Sequence, residues 1–262
     1  MNPVAGSLRD RRILVTGASR GSGIGFAVAR ACAQEGAAVF LHGLPSYDVE
    51  QGYPDGAVGL TSRLADSLIG EGLSAIALPD IDCSEPTAAT RLFESVRGFG
   101  GDLDGLVLNH AHSVAAPLGS WTADHIDRHF AVNVRASMLL LQEFVSQLPA
   151  NRTGSVVMMT SGQFLGPMVS EIAYAASKDA IVGLATQAAA ALAPRVRVNC
   201  VNPGPTDTGY VTGEAWEAIR RRFPAGRWGT PDDTAKLVVF LLGDAAAWIT
   251  GQRVTSEGGF RR

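Results

Sequence analysis

Short apolar runs rich in β-branched residues alternate along this chain with stretches of helical periodicity, and that alternation restricts the fold more than any other feature. RILVTG, from Arg12 to Gly17, is followed by AVARACAQEG, whose helical period stops at Gly36. The pattern then recurs as AAVFLH, a helix from Leu60 to Gly70, LSAIALPD, and a helix from about Pro86 to Arg97. It continues as GLVLNH, a long helix from about Thr122 to Gln147, GSVVMMTS, a helix from about Ala173 to Leu192, and VRVNCVN. Runs that are apolar throughout, rather than at every second position, suit strands buried on both faces. The expectation is an α/β fold: a doubly wound, seven-stranded parallel sheet between two helical layers.

The 262 residues suit a single domain spanning 1–262, and 46% apolar against 18% charged residues provides a core that offsets the entropy of ordering the chain. Residues 1–10 are expected to be a flexible start. Two stretches break the alternation and read as loops: Gly43 to Gly59, rich in Gly, Pro and Tyr, and Asn202 to Arg227, where Pro and Gly surround a short helical piece. Loops beyond the carboxyl ends of the strands form the ligand crevice of such a sheet, so residues 205–227 are placed to act as a substrate lid. A formal charge of -3 argues against nucleic acid or an anionic membrane as partner and leaves a small molecule. No window is long and apolar enough to span a bilayer, and MNPVAGSLRDRR has no cleavage pattern, so a cytoplasmic address is expected. Cys32, Cys83 and Cys200 match neither a disulfide framework nor a zinc spacing and read as packing residues; no metal is expected.

VTGASRGSGIGFAVA lies directly between the first strand and the first helix, where glycines let the backbone approach a pyrophosphate and the helix N-terminus offers N–H donors. Either Gly21 and Gly23 or Gly23 and Gly25 form the pair nearest the phosphates; the second is favoured, because it directly precedes the small residues Ala27 and Ala29. An NAD site holds the adenosine ribose with an acidic residue at the end of the second strand, but that strand ends here in Phe40, Leu41, His42 and Gly43. Arg20 instead faces the place of a 2'-phosphate, a charge-assisted contact worth roughly 1.5–3 kcal/mol. NADP(H) is the expected cofactor; NAD(H) is the alternative, with Arg20 a solvated loop charge.

YAASK sets Tyr174 and Lys178 one helical turn apart on a common face. A neighbouring ammonium favours the phenolate and brings a tyrosine toward the range useful for proton transfer at neutral pH. Ser161, at the end of the preceding strand, is placed to hydrogen-bond a substrate oxygen as charge develops on it.

With these residues the sequence resembles the short-chain dehydrogenase/reductase family, whose signature is the TGxxxGxG loop, a serine thirteen residues before the tyrosine, and YxxxK. The resemblance runs from Arg12 to Gly259 and implies a Rossmann fold. It implies Tyr174 as general acid or base, Lys178 on the nicotinamide ribose and lowering the tyrosine pKa, and Ser161 positioning the substrate. Asn133, in VNVRAS, matches the asparagine that anchors a water in the proton relay. Further cofactor contacts implied are Gly17, Ser19, Arg20, Gly23, Ile24 and Gly25 in the loop, then His42, Asp82, Cys83, Asn109 and Ala111. NPGPTDT resembles the segment over the nicotinamide, with Pro203 and Gly204 shaping it, Thr206 meeting the carboxamide and Thr208 adding a hydroxyl. WITGQRVTSEGG looks like the family's last strand, commonly at a subunit interface, so a homotetramer or homodimer is expected by analogy.

Departures from the family pattern are equally specific. The segment that usually reads NNAG is Asn109, His110, Ala111, His112, and lone histidines are usually structural, although His112 is placed to line a substrate pocket. The glycine loop is longer than usual, and Gly43 to Gly59 either closes over the adenosine phosphate or is a surface insertion. Gln163, together with Phe164 and Met168, is positioned to contact substrate, and Tyr210 and Trp216 to form its cover. Within the family the motifs resemble 3-oxoacyl-acyl-carrier-protein reductases, which implies reduction of a ketone, carried by acyl carrier protein or CoA, to an alcohol with NADPH. Arg220 to Arg222 and Arg227 either dock such a carrier or form a solvated helix face. The alternatives are a ketoreductase for a sugar, steroid or secondary-metabolite ketone, and a non-catalytic dinucleotide-binding protein, which the retained Ser161, Tyr174 and Lys178 argue against. An enoyl reductase is disfavoured, because that branch spaces tyrosine and lysine farther apart.

Overall fold

The computed structural model describes residues 6–261. Among them seven strands form one sheet: β1 (Arg12–Thr16), β2 (Ala38–His42), β3 (Ala75–Ala77), β4 (Gly105–Leu108), β5 (Gly154–Met159), β6 (Val196–Asn202) and β7 (Arg253–Thr255). Their spatial order is β3-β2-β1-β4-β5-β6-β7, and every neighbouring pair is parallel. The order reverses between β1 and β4, so the loops leaving their carboxyl ends diverge and open a crevice there.

The helices are α1 (Ile24–Gln34), α2 (Pro45–Glu50), α3 (Leu60–Gly70), α4 (Ala88–Gly98), α5 (Ala123–Phe130), α6 (Ala136–Gln147), α7 (Ile172–Leu192), α8 (Gly213–Arg220) and α9 (Pro231–Leu242). Residues of α1, α3 and α9 pack with Ile13 and Val15 on one face of the sheet, and residues of α4, α6 and α7 pack with Leu14, Leu106 and Val156 on the other. Adjacent residues of β1 therefore enter opposite cores, which explains why that strand is apolar without alternation.

Some local expectations change. The start of the chain is not loose from Gly6 onward: Leu8 is fully buried, its N–H donates to the Glu35 carbonyl (3.1 Å), and the Ser7 N–H and hydroxyl both donate to the Glu35 carboxylate. The first five positions of that predicted flexible segment lie outside the described residues. The stretch from Gly43 to Gly59 is not all loop, because Pro45 opens α2, where a missing N–H costs nothing. The helix α9 is not among the predicted elements, although its start carries a full capping box, with Asp233 N donating to Thr230 Oγ1 and Thr230 N donating to Asp233 Oδ2. The long helix expected from Thr122 to Gln147 forms with Thr122 as its cap, but residues Ala131–Arg135 make a π-helical turn between α5 and α6.

Candidate active site

The glycine loop is shaped by contacts that exclude side chains. Gly17 has φ +68°, a conformation that favours glycine, and a Cβ on Gly25 would lie 2.2 Å from the Gly17 carbonyl oxygen. Gly23 is the N-cap of α1 and no side chain caps it, so the N–H groups of the first turn face the crevice. A Cβ on Gly21 would meet no heavy atom closer than 3.7 Å, which makes Gly23 and Gly25 the closely packed pair. Asn109 fixes the loop from below, its Nδ2 donating to the carbonyls of Thr16 (3.1 Å) and Gly17 (2.9 Å). His110 is structural: its ring nitrogens pair with Thr16 Oγ1 (2.7 Å) and the Val132 carbonyl (3.1 Å), and burial pushes its pKa down to about 3.

A cavity of about 230 Å³ opens beside this loop. Gly17, Ser19, Arg20, Gly23 and Ile24 line one wall, and His42, Asp82, Cys83, Asn109 and Ala111 line the floor and far end, with Thr208 at its edge. All of these are among the residues the sequence assigns to the dinucleotide; of the others so assigned, Gly25, Tyr174 and Lys178 do not line this cavity, and Pro203, Gly204 and Thr206 lie in the segment after β6. Gly204 there has φ +64°, and a Cβ on it would meet Glu257 at 2.3 Å. His42 is buried, donates from Nε2 to the Ile81 carbonyl (2.9 Å), and has its pKa pushed down to about 4 by burial.

Residues that sequence reasoning misses complete the cavity. The stretch 43–59 folds as a strap across its mouth. Asp48 accepts a short hydrogen bond from Ser19 Oγ; Asp55 accepts from Arg20 Nε (2.7 Å) and from the Ser22 N–H and hydroxyl. Tyr53 lies under the Arg20 guanidinium at 3.8 Å, and the Tyr47 hydroxyl accepts from Ser113 N (3.1 Å) on the loop after β4. Arg20 is thus not a free loop cation: its Nη2 also donates to the Thr208 carbonyl (2.5 Å), tying the glycine loop to the segment after β6. The acidic residues that hold Arg20 lie far downstream in the chain, which is why its pairing is invisible in the sequence. His112 stands beside Tyr47 and His129, with ring centroids 5.6 and 4.5 Å away, and its buried Nδ1 has no partner.

Tyr174 and Lys178 lie on α7 and Ser161 just beyond β5, at the carboxyl edge of the sheet. Ser161 hydrogen-bonds the Tyr174 phenol, and the Lys178 ammonium sits 5.6 Å from the Tyr174 ring centre. The three groups converge, but the expected electrostatics differ. Burial pushes the Tyr174 phenol well above its usual value, with the Ser161 hydrogen bond opposing the shift. Lys178 does not offset it: Nζ donates to the Met159 carbonyl (3.0 Å), and burial pulls its own pKa down to about 8. Asn133 sits in the π-helical turn, fully committed: Oδ1 accepts from His112 N (2.7 Å), and Nδ2 donates to the His112 carbonyl (3.0 Å) and Ser177 Oγ (2.8 Å). Its side chain therefore links the loop after β4 to α7.

Two of the expected substrate contacts are corrected. The Gln163 amide donates to Asp179 Oδ1 (2.9 Å) and Thr160 Oγ1 (3.2 Å), and Phe164 lies under Arg253 at 3.5 Å, so both are drawn toward other partners. Met168 is tied in only through its carbonyl, which accepts from Glu171 N. Glu171, unpredicted, accepts from Ser113 Oγ at 3.3 Å and has Tyr174, Tyr53 and Tyr210 within electrostatic reach. In the 205–227 segment Trp216 donates to Asp207 Oδ2 (2.9 Å) and stacks on Trp228 at 5.9 Å, forming the segment's own core, while Tyr210 stays half exposed. Three of the four arginines there are engaged within the chain: Arg220 with Glu217 (3.0 Å), Arg222 with the Arg261 carbonyl (2.5 Å) and Arg227 with Asp233 (2.6 Å). Among the described residues no helix is long and apolar enough to cross a membrane, and no three His, Cys, Asp or Glu side chains are grouped to hold a metal ion.

Known proteins resemble this chain over nearly its whole length. A family described as Enoyl-(Acyl carrier protein) reductase matches residues 17–261. The uncharacterized oxidoreductase YjdA of Bacillus subtilis is 37% identical over 257 residues, covering 97% of this chain and 98% of that protein. A short chain dehydrogenase from Burkholderia cenocepacia, solved in complex with NADP, superimposes with a TM-score of 0.85 at 33% identity over 97% of this chain and 98% of that one. A 3-oxoacyl (acyl-carrier-protein) reductase from Agrobacterium tumefaciens, with NADP bound, gives 0.84 at 31% identity over 97% and 95%. Full-length similarity at these identities makes this chain a member of the short-chain dehydrogenase/reductase family of oxidoreductases.

Proposed function

We propose that this enzyme reduces a ketone to a secondary alcohol with NADPH, and that a 3-oxoacyl thioester on acyl carrier protein or CoA is the first substrate class to test. The observation that carries the reading is the convergence of Ser161, Tyr174 and Lys178 at the carboxyl edge of the parallel sheet, the edge from which the glycine loop leaves β1. The crevice suits a dinucleotide: Gly17 and Gly23 line it without side chains, α1 begins beside it with no side-chain cap, and Arg20, held by Asp55, stands in its wall. NADP in the Burkholderia and Agrobacterium relatives supports the phosphorylated cofactor. When bound, the reduced nicotinamide supplies the hydride.

The residues of the chain supply the rest. The Ser161 hydroxyl orients the carbonyl oxygen and stabilises the charge that develops on it. Tyr174, held protonated by burial, donates its proton to that oxygen, so the site is set for reduction at neutral pH. Lys178, near half-protonated around pH 8, is placed to hold the ribose beside Tyr174 and to return charge to the phenol as it gives up its proton. Asn133 is a positioning residue that fixes α7 through Ser177.

A panel of acetoacetyl-CoA, β-keto esters and cyclic diketones, followed by loss of NADPH absorbance, tests this. Turnover of at least one ketone, reduced roughly 100-fold or more in kcat by Tyr174→Phe, is the expected result. NADPH oxidation that Tyr174→Phe leaves untouched overturns it. One observation favours a second substrate class: the Glu171 carboxylate lies within electrostatic reach of Tyr174, Tyr53 and Tyr210, while Arg220 and Arg227 are already paired with Glu217 and Asp233. An uncharged, hydroxyl-bearing ketone of sugar or secondary-metabolite type meets that carboxylate with less repulsion than a phosphorylated carrier arm.

A further inference from the structure

The strap places two carboxylates against the two glycine-loop side chains that face the adenosine end of the crevice. Asp55 holds the Arg20 guanidinium at 2.7 Å, and their side chains are 30% and 11% exposed, so the pair is mostly shielded from water. Asp48, itself buried, accepts from Ser19 Oγ. Tyr53 covers the open face of the guanidinium, and the Thr208 carbonyl takes another of its N–H groups. Arg20 and Ser19 both line the cavity, yet Ser19 Oγ and the Nε and Nη2 of Arg20 donate to acceptors carried by the same chain. A phosphate dianion entering beside the glycine loop meets Arg20 already paired with Asp55, and a second carboxylate, Asp48, next to it. A ribose hydroxyl meets two acceptors, and is a donor to either.

We propose that Asp55, with Asp48 beside it, determines cofactor specificity in this enzyme: the two carboxylates occupy Arg20 and Ser19, so a free 2'-hydroxyl is accepted as the site stands, whereas a 2'-phosphate binds by displacing Asp55 from Arg20. This rests on the reading of the crevice as the NADPH site and sets the handicap under which NADPH is taken. The strap, rather than a residue at the end of β2, carries the discrimination, because β2 ends in the buried His42 and in Gly43, where a Cβ would collide with Ser19 at 2.3 Å.

The test measures binding by calorimetry on the full chain, with adenosine 2',5'-bisphosphate and 5'-AMP as probes. Asp55→Asn removes the competing charge while keeping an oxygen for Ser22. It is expected to tighten the bisphosphate roughly fivefold or more and to leave 5'-AMP within about twofold, as suits loss of a partly shielded ion pair. Arg20→Ala combined with Asp55→Asn is expected to abolish that gain, because the effect runs through the guanidinium. Asp55→Ser, which is smaller and also neutral, is expected to shift the ratio in the same direction and guards against a misfolded asparagine variant. The ratio of kcat/KM for NADPH over NADH is expected to rise in step, through KM. An unchanged ratio of the two affinities, or equal weakening of both probes in the two single variants, overturns the proposal while leaving the dinucleotide reading intact. Failure of the wild-type protein to bind either probe overturns both.

Discussion

Gly25→Ala is the substitution whose consequence follows most directly from the geometry. A methyl group there would stand 2.2 Å from the Gly17 carbonyl oxygen and 2.6 Å from Asn109 Nδ2, and the first of these is backbone that cannot swing aside. Overpacking of this kind costs roughly 1–3 kcal/mol. Alanine's helical advantage over glycine, about 1 kcal/mol in a helix interior, offsets little of it in a first turn. A net loss of about 2 kcal/mol corresponds to a fall of roughly 4–8 °C in Tm for a chain of this size. The larger effect falls on nucleotide binding, because relief of the clash moves Gly17, and with it the wall of the crevice; KM for the dinucleotide is expected to rise about tenfold or more. Gly21→Ala is the control: its nearest neighbour is Leu64 at 3.7 Å, and stability is expected to stay within about 0.5 kcal/mol. Thermal melts and cofactor titrations of the two variants decide the matter. A Gly25→Ala protein that melts and binds like the wild type, or a Gly21→Ala protein that is worse, would refute both the steric argument and the assignment of the phosphate-facing pair.

Two further outcomes are expected. The Lys178 pKa is lowered from 10.5 to about 8, so between those values the unfolded chain holds more protons than the folded one, and the contribution of this group to stability rises with pH from about 8 to 10.5; below 8 the full penalty of burying the charge applies. Lys178→Met should therefore stabilise the protein by roughly 1–3 kcal/mol at pH 7 and by less at pH 9.5 while turnover collapses, and urea midpoints showing the same gain at both pH values count against the argument. Thr230→Ala removes the cap of α9 and should lower the urea unfolding free energy by about 1 kcal/mol, with no change in the NADPH to NADH ratio; a shift in that ratio would show that α9 is coupled to the crevice.

The layers of the fold are legible in the sequence because the strands are buried on both faces and the helices are not: RILVT and GSVVMM can only be interior strands, and YAASK declares its own helical face. The convergence of Ser161, Tyr174 and Lys178 is legible for the same reason, since a strand end and the following helix place them. What escapes is pairing across distance. Arg20 offers a cation in any reading of its loop, but whether it is free depends on Asp55, on a strap whose fold rests on Tyr47, Asp48 and Tyr53 finding partners on other loops. Gln163 looks like a substrate contact by position until Asp179, one turn beyond Tyr174, takes its amide. The protonation of Tyr174 is likewise set by depth rather than by spacing, because Lys178 gives its ammonium to Met159. The helix α9, by contrast, is announced in the chain by Thr230, Pro231, Asp232 and Asp233, a start signal that needs no tertiary information to be read.

The π-helical turn at Ala131–Arg135 has a consequence for how this chain can change over evolutionary time. Such a turn is an α-helix carrying one surplus residue, and each residue of an α-helix turns the chain by about 100°. Deleting any one of the five would restore a regular helix and rotate the preceding α5 by that angle, swinging His129 away from His112 and breaking the grip of Asn133 on Ser177. A substitution here, even of Asn133, leaves the angle between α5 and α6 as it is; a change in length does not, so the number of residues in this stretch is itself part of the site.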